Sequence, residues 1–226
     1  MSTKSADNTN HPEGKKQTSG RGGGRQNDTP DVKLSKSLSF VLRHGAEKVG
    51  LNLREDGYAS LEDLLKLPNF QKYSLQDVQR VVDNNDKKRY TLIKDDKDKW
   101  WIRANQGHSL KIQSLELEEI TDPALYPNVI HGTYLDKWKQ ICQTGLSKMS
   151  RNHIHFASGL FGEDKVISGM RRNCTVFIYV DLKKALQDKI QFFKSSNGVI
   201  LSEGKDGILP VEYFSQVLDP SGQSLL

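Results

Sequence analysis

Arginine sets the chemistry open to this chain. Arg43 is followed directly by His44, Arg103 precedes Ala104-Asn105-Gln106-Gly107-His108-Ser109, and Arg171-Arg172 follow Ser168-Gly169-Met170. A guanidinium at the end of an element, beside glycine, suits a phosphate dianion, because its planar fork donates two parallel hydrogen bonds. Taken singly, each of these arginines reads as a solvated surface residue; convergence of three would make a phosphate site. A second group is His131-Gly132-Thr133, after Val129-Ile130. Its imidazole and hydroxyl can bind ribose hydroxyls, and the glycine backbone can approach a planar amide. The tripeptide alone is a weak signal. His153-x-His155 has the spacing of a metal pair on a strand, but no acidic or cysteine ligand stands at a matching distance, so no metal is expected. Gly-x-Gly-x-x-Gly after a strand, Gly-x-x-x-x-Gly-Lys-Ser/Thr and Gly-x-Ser-x-Gly are all absent, which leaves Rossmann, P-loop and serine-hydrolase sites unsupported.

These residues need elements to hold them. Leu34, Leu38, Val41 and Leu42 keep helical spacing, and Gly45 is expected to end that helix. Lys36, Ser39 and Arg43 share another face of it. Asp56-Gly57 reads as a turn, while Ser60-x-x-Asp63 and Ser74-x-x-Asp77 read as helix starts, the second followed by Leu75, Val78, Val81 and Val82 at helical spacing. Residues 90–94 and 100–104 flank a charged turn and predict a β-hairpin. Helices followed by a two-stranded wing make a winged helix the natural reading of this half. Residues 110–120 are expected to form a structural strand, and residues 122–127 a linker. Beyond it, an amphipathic helix over 135–142 ended by Gly145 and strands at 154–157, 175–180, 190–193 and 198–202 predict a mixed α+β lobe around a compact sheet.

Composition bounds the answer. The chain has 226 residues, 33 Lys+Arg against 28 Asp+Glu, a net charge of +5 and 35% hydrophobic residues. No run approaches the ~20 apolar residues of a bilayer span. Two distant cysteines, Cys142 and Cys174, argue against a disulfide scaffold and for a reducing, intracellular address, cytoplasm or nucleus. Residues 1–30 have no apolar stretch like that of a secretory signal, and their near-absence of hydrophobic residues, around Arg21-Gly-Gly-Gly-Arg25, predicts a disordered basic tail. The net charge divides unevenly, with +2 in residues 1–30, +4 in 31–113 and −1 in 114–226. A basic half beside a near-neutral one suits a polyanion on one side and a smaller ligand on the other.

Several of these segments occur together in one known order. Leu34-Ser35-Lys36-x-Leu38-Ser39-x-x-Leu42-Arg43-His44, Ile102-Arg103-Ala104-x-Gln106-Gly107-His108-Ser109, His131-Gly132-Thr133, Ile154-His155-Phe156-Ala157 and Ser168-Gly169-Met170-Arg171 resemble the NAD-dependent tRNA 2′-phosphotransferase family in its eukaryotic form. The resemblance covers about residues 32–220. It implies an α+β protein with a disordered tail (1–30), a winged-helix RNA-binding lobe (31–120) and an ADP-ribosyltransferase-like NAD-binding lobe (125–221), acting as a monomer. It implies removal of the internal 2′-phosphate at the splice junction of ligated tRNA. That phosphate attacks the ribose C1″ of NAD and expels nicotinamide, giving a 2′-phospho-ADP-ribosylated RNA. The ADP-ribose O2″ then attacks the phosphate, releasing 2′-hydroxyl RNA and ADP-ribose 1″,2″-cyclic phosphate. NAD is consumed and no metal takes part.

By matching positions, the resemblance assigns catalysis to Arg43, His44, Arg103 and Arg171, with His44 either touching the phosphate or protonating the leaving RNA 2′-oxygen. It assigns NAD binding to His131, Gly132 and Thr133, with His155 a weaker candidate. Lys36 and Ser39, on Arg43's helix face, are the RNA-contact candidates. No glutamate of the kind that activates a neutral acceptor is identifiable, and a nucleophile already ionised at neutral pH makes one dispensable in the first step. Gly45-Ala46, where many members have proline, and the loop at 159–164 depart from the family pattern and leave loop geometry open. Two other readings stand beside this one: an ADP-ribosyltransferase acting on protein or on nucleic-acid terminal phosphates, and a winged-helix RNA-binding protein with an inert second lobe.

Overall fold

A computed structural model describes residues 28–160 and 169–226; most of the basic tail, residues 161–164 of the divergent loop and Ser168 lie outside the described residues. The first helix, α1 (Pro30–Phe40), starts where Thr29 accepts the Val32 N–H at 3.3 Å and Pro30 fills the first turn, where an N–H would have no helical partner. It buries Leu34 and Leu38. It does not end at Gly45. The chain widens into a π turn over Val41–Gly45, runs through a 3₁₀ turn at Glu47–Val49, and closes at Gly50, which takes the left-handed conformation. Gly45 serves a different need: a Cβ there would lie 2.6 Å from the Phe40 ring. The wide turn buries Val41 and Leu42 while carrying Arg43 and His44 on its last residues, a placement in keeping with the frequent use of such turns at functional sites.

Short strand β1 (Ala59–Ser60) leads into α2 (Leu61–Lys66), and α3 (Leu75–Asp83) follows, each starting at the expected serine. At α3 the capping box is complete, with the Asp77 carboxylate accepting the Ser74 N–H at 2.9 Å. The expected hairpin is β2 (Tyr90–Lys94) and β3 (Trp100–Ala104), with β1 on the far side of β3. Leu34, Leu38, Leu42, Leu64, Phe70, Val78 and Ile102, from the first three helices, the turn after α2 and β3, close one core completely.

Within residues 110–120 only β4 (Leu117–Glu119) is a strand, and it pairs with a strand of the second half. The linker holds one 3₁₀ turn, Pro123–Leu125. Then come β5 (Ile130–Thr133), α4 (Leu135–Thr144) ended by Gly145, β6 (Leu146–Ser147), β7 (Ile154–Phe156), β8 (Val176–Val180), α5 (Leu182–Gln187), β9 (Phe193–Ser195), β10 (Ile200–Ser202), β11 (Ile208–Leu209) and β12 (Phe214–Leu218). They form sheets of order β4-β9-β10-β7, β12-β8-β5 and β11-β6, all antiparallel. The protein is therefore α+β. The strand expected at 190–193 begins three residues later because Ile190 and Phe192 are spent on the core and the Phe192 carbonyl on the Ile120 N–H, at 2.8 Å. The two larger sheets meet where Ile130 and Ala157 exchange both backbone hydrogen bonds, at 2.8 and 2.9 Å. His131 and His155 flank that junction.

Candidate active site

The site is assembled by backbone carbonyls. The Arg43 carbonyl accepts the N–H groups of Ser109 at 2.9 Å and Leu110 at 3.3 Å, which draws residues 107–110 under the wide turn. Gly107, at a φ of 88°, lets that segment pass within van der Waals reach of the Arg43 guanidinium; a Cβ would sit 3.3 Å from its Nη1. The His44 ring meets the Ser109 hydroxyl through Nδ1 at 2.9 Å. The same segment then reaches the second half. The His108 carbonyl accepts the Asn152 N–H at 2.9 Å, and the Asn152 side chain donates to the Leu110 carbonyl at 2.9 Å. Asn105, also buried, holds the other end by donating to the Lys88 carbonyl at 2.8 Å.

Arg103 projects from β3 almost fully buried, bonded to Glu116 at 2.5 Å with its guanidinium carbon 4.7 Å from the centre of the Tyr58 ring. From the second half, His131 meets the His155 carbonyl through Nδ1 at 2.9 Å and sets its ring against Phe156. Thr133 is buried, and its carbonyl accepts the Thr175 N–H. The space beside Gly132 is filled by the chain itself: a Cβ would meet Cys174 Sγ at 2.8 Å and Met170 Cβ at 2.9 Å. The glycine therefore lets residues 170–174, which carry Arg171, lie against β5. Arg171 is exposed and donates to the Tyr134 hydroxyl at 3.5 Å.

Among the described residues, every buried side-chain nitrogen or oxygen without a hydrogen-bond partner belongs to this region: Arg43 Nε and Nη2, Arg103 Nε, both nitrogens of His108, and His155 Nε2. Buried polar groups are normally satisfied, because an unmade hydrogen bond there costs about 1–3 kcal/mol. Their concentration at one place marks a surface built for something else to complete.

The electrostatics give that something a sign. Burial pushes the Arg43 guanidinium down to about 10, opposed by Tyr90 and reinforced by Arg89 and Arg151. Burial and the neighbouring cations Arg43, His44, His153 and Arg103 push His108 down to about 4. Burial, Arg151 and further cations push His155 down to about 3. His44 is lowered by burial, Arg151 and Arg43, and His131 by burial and Arg151 against the opposing His155 carbonyl. Among the described residues, no carboxylate figures among the influences on these five groups. Cations crowded together, with the exposed Glu116 on Arg103 as a counter-charge among the described residues, beside neutral imidazoles, call for an anion.

Arg43, His44 and Arg103 thus all bear electrostatically on His108, while Arg171 bears on Arg151, whose guanidinium it lowers after burial. His108 and Arg151 are functional candidates that the sequence reading did not single out. His108 is one residue within the eight-residue stretch from Ile102 to Ser109, and Arg151 stands between Ser150 and Asn152 in a turn with no glycine signal. Arg151 acts on Arg43 and His44 of the first half and on His131 and His155 of the second. Lys36 and Ser39 stand outside this cluster. Lys36 pairs with Asp28 at 2.7 Å on the surface, and the Ser39 hydroxyl meets that of Tyr90 at 2.5 Å. Both line a separate cleft of about 710 Å³. His153 lies edge-on to Phe193, and no group of three His, Cys, Asp or Glu gathers among the described residues. No helix among them is long and apolar enough to cross a membrane.

Known proteins are similar to this chain over most of its length. The model of the RNA 2′-phosphotransferase, Tpt1/KptA family matches residues 29–204. A Danio rerio protein named tRNA 2′-phosphotransferase 1 is 50% identical over 208 residues, covering 88% of this chain and 92% of its own. The Homo sapiens protein of that name is 49% identical over 191 residues, 83% of this chain and 76% of its own. The tRNA 2′-phosphotransferase of Saccharomyces cerevisiae is 39% identical over 201 residues, 85% and 86% of the two chains. A match over most of the chain, at this identity, means that the protein belongs to the RNA 2′-phosphotransferase, Tpt1/KptA family.

Proposed function

We propose that this protein removes the 2′-phosphate of tRNA at a splice junction by transferring it to NAD. The first half would act as a winged-helix RNA lobe over residues 31–120 and the second as an ADP-ribosyltransferase-like lobe over residues 125–221, within an intracellular monomer. The observation that carries the reading is the cluster of unsatisfied guanidinium and imidazole nitrogens on Arg43, Arg103, His108 and His155. Such donors suit a phosphoryl group, which needs several at once.

The residues present also fit a dinucleotide. His155 Nε2 is buried and unpartnered, and His131 and His155 are both held toward their neutral forms, able to donate to or accept from ribose hydroxyls. His131, Gly132, Thr133 and His155 would hold it. When bound, NAD supplies the electrophilic ribose carbon that accepts the phosphate.

The work of the protein's own residues is orientation and charge. A phosphate dianion is already a nucleophile, so Arg43, Arg103 and Arg171 need to aim it and to hold the charge that gathers as the phosphorus is later attacked. Removing one preorganised donor of that kind costs about 3 kcal/mol, or roughly 10²- to 10³-fold in rate. His44 is the group placed to move a proton at the RNA 2′-oxygen. Burial and two cations favour its neutral form, so a proton taken up there is readily passed on. Arg103 is expected to exchange its bond to the exposed Glu116 carboxylate for the phosphate.

The test is a two-substrate assay with product identification. RNA bearing an internal 2′-phosphate, given NAD, should yield 2′-hydroxyl RNA, nicotinamide and a cyclic ADP-ribose phosphate. If label from NAD remained on the acceptor at completion with the wild-type protein, a plain ADP-ribosyltransferase would be the correct reading. RNA binding without any NAD turnover would leave only the binding module.

A further inference from the structure

The cleft that holds Lys36 and Ser39 is not the phosphate site, and its walls specify an occupant of their own. Its volume, about 710 Å³, lies within the ~300–1,000 Å³ typical of ligand sites, which are mostly apolar. Among the described residues, the hydrophobic side chains lining it are Val32 and Val81. The cations Lys36, Lys87, Arg89 and Arg172 face two carboxylates, and one of these, Asp31, is already engaged by Arg80 at 2.8 and 3.1 Å. Among the described residues Lys36 is held by an exposed pair with Asp28, the kind worth ~1 kcal/mol or less and easily exchanged for a phosphate.

The cleft also leads somewhere. Lys87 donates to the Met170 carbonyl at 3.1 Å, one residue before Arg171, and the Asn197 side chain fixes Lys87 by donating to its carbonyl at 3.0 Å. Arg89 is steadied by Asn85, whose side-chain oxygen accepts its backbone N–H at 3.1 Å and its guanidinium at 3.3 Å. Arg89 in turn is the larger of the two cationic influences on Arg43. One end of the cleft therefore abuts Met170 and holds Arg172, the neighbour of Arg171, and the other runs out along α1. Neither β5 nor β7, which carry the dinucleotide candidates, contributes to the lining. The Ser35, Ser39 and Tyr90 hydroxyls are tied to one another, the Tyr90 hydroxyl donating to the Ser35 carbonyl at 2.5 Å, so that wall is fixed. Burial and the cations Arg89 and Arg172 hold the Lys87 ammonium below its ordinary range, as expected of a site short of negative charge.

We propose that this cleft carries the sugar-phosphate backbone of the single RNA strand flanking the reacting 2′-phosphate, with Lys36, Lys87, Arg89 and Arg172 facing its phosphates. This rests on the phosphotransferase reading and adds the path of the strand. Phosphate contacts of this kind fix register without reading sequence, so they let one enzyme accept many RNA sequences around a fixed reacting group.

Fluorescence anisotropy without NAD tests it, using a 2′-phosphorylated trinucleotide and a single-stranded RNA of roughly 12 nucleotides, within the ~4–16 spanned by single-strand sites. Each neutralised phosphate contributes about 0.7 to the slope of log affinity against log salt for a single strand. The variant Lys36→Gln/Arg89→Gln should therefore lose about 1.4 of slope on the longer RNA and bind it at least ten-fold more weakly near 0.1 M salt. The trinucleotide Kd should stay within about two-fold, with an unchanged Tm as the control for folding. An unchanged slope on the long RNA would overturn the proposal, as would equal weakening of both RNAs, which would put the two cations at the reacting phosphate. Turnover of the trinucleotide by the wild-type protein tests the phosphotransferase reading separately, since that substrate does not need the cleft.

Discussion

Gly132→Ala isolates the role of a close backbone approach in the site. The backbone at Gly132 does not have a positive φ, so alanine adds no conformational strain; it adds one carbon. That carbon would lie 2.8 Å from Cys174 Sγ, 2.9 Å from Met170 Cβ and 3.2 Å from Cys174 Cβ, whereas ordinary contacts begin at 3.4 Å. Residues 170–174 must retreat from β5 by roughly 0.5 Å or more, and Arg171 travels with them. Overpacking of this kind costs about 1–3 kcal/mol of stability. A displacement approaching 1 Å at a reacting group costs about 10²-fold in rate, so the expected loss in kcat/KM is roughly 10- to 100-fold. The assay is nicotinamide release and phosphate transfer from a short RNA, read beside Tm. Adding Cys174→Ala removes the sulfur but leaves Met170 Cβ in place, so recovery should be partial. Wild-type kcat/KM with an unchanged Tm in Gly132→Ala would refute the argument that this glycine exists to seat Arg171. Full recovery in the double variant would show that the sulfur alone mattered.

Three further outcomes are expected. Arg103→Ala should slow the second step by roughly 10²- to 10³-fold, so that label from NAD accumulates on RNA; second-step turnover at the wild-type rate would remove Arg103 from the phosphate. Arg151→Gln takes away a cation that lowers His44, so the His44-dependent limb of the pH–rate profile should move to higher pH, and a stationary limb would show that Arg151 does not act on His44 in the working enzyme. His108 makes stability pH-dependent. The folded protein keeps it neutral down to about 4 while the unfolded chain takes up a proton near 6.5, so the unfolded state binds more protons in between and stability falls as pH drops. Between pH 6.5 and pH 5 that amounts to about 2 kcal/mol, and urea midpoints for His108→Phe should lose that much of their pH dependence if the assignment is right.

Much of the local structure was legible in the residues. Ser60 and Ser74 start helices because a hydroxyl at that position accepts an otherwise orphaned N–H, and Gly145 ends α4 because it can take a positive φ. The hairpin of β2 and β3 falls where alternation and a charged turn put it. Gly45 was misread for a physical reason: a glycine after a helical stripe signals the helix end, whereas here it makes room for the Phe40 ring in a π turn, and the left-handed closure comes at Gly50. The short strands β6, β11 and β12, and helix α5, were not foreseen, since two to six residues carry little periodicity of their own and the strands exist through partners far along the chain.

The sequence by itself determined which residues can handle phosphate, where most helices begin, and, through the order of its motifs, the family. Tertiary structure alone decided that the Arg43 carbonyl holds Ser109 and Leu110, that Gly132 is spent on seating residues 170–174, and that Arg151 bears electrostatically on groups of both halves. Those outcomes depend on burial and on charges brought together across long stretches of chain. Desolvation and Coulomb energy are functions of distance in space, and a linear order of residues does not contain that distance.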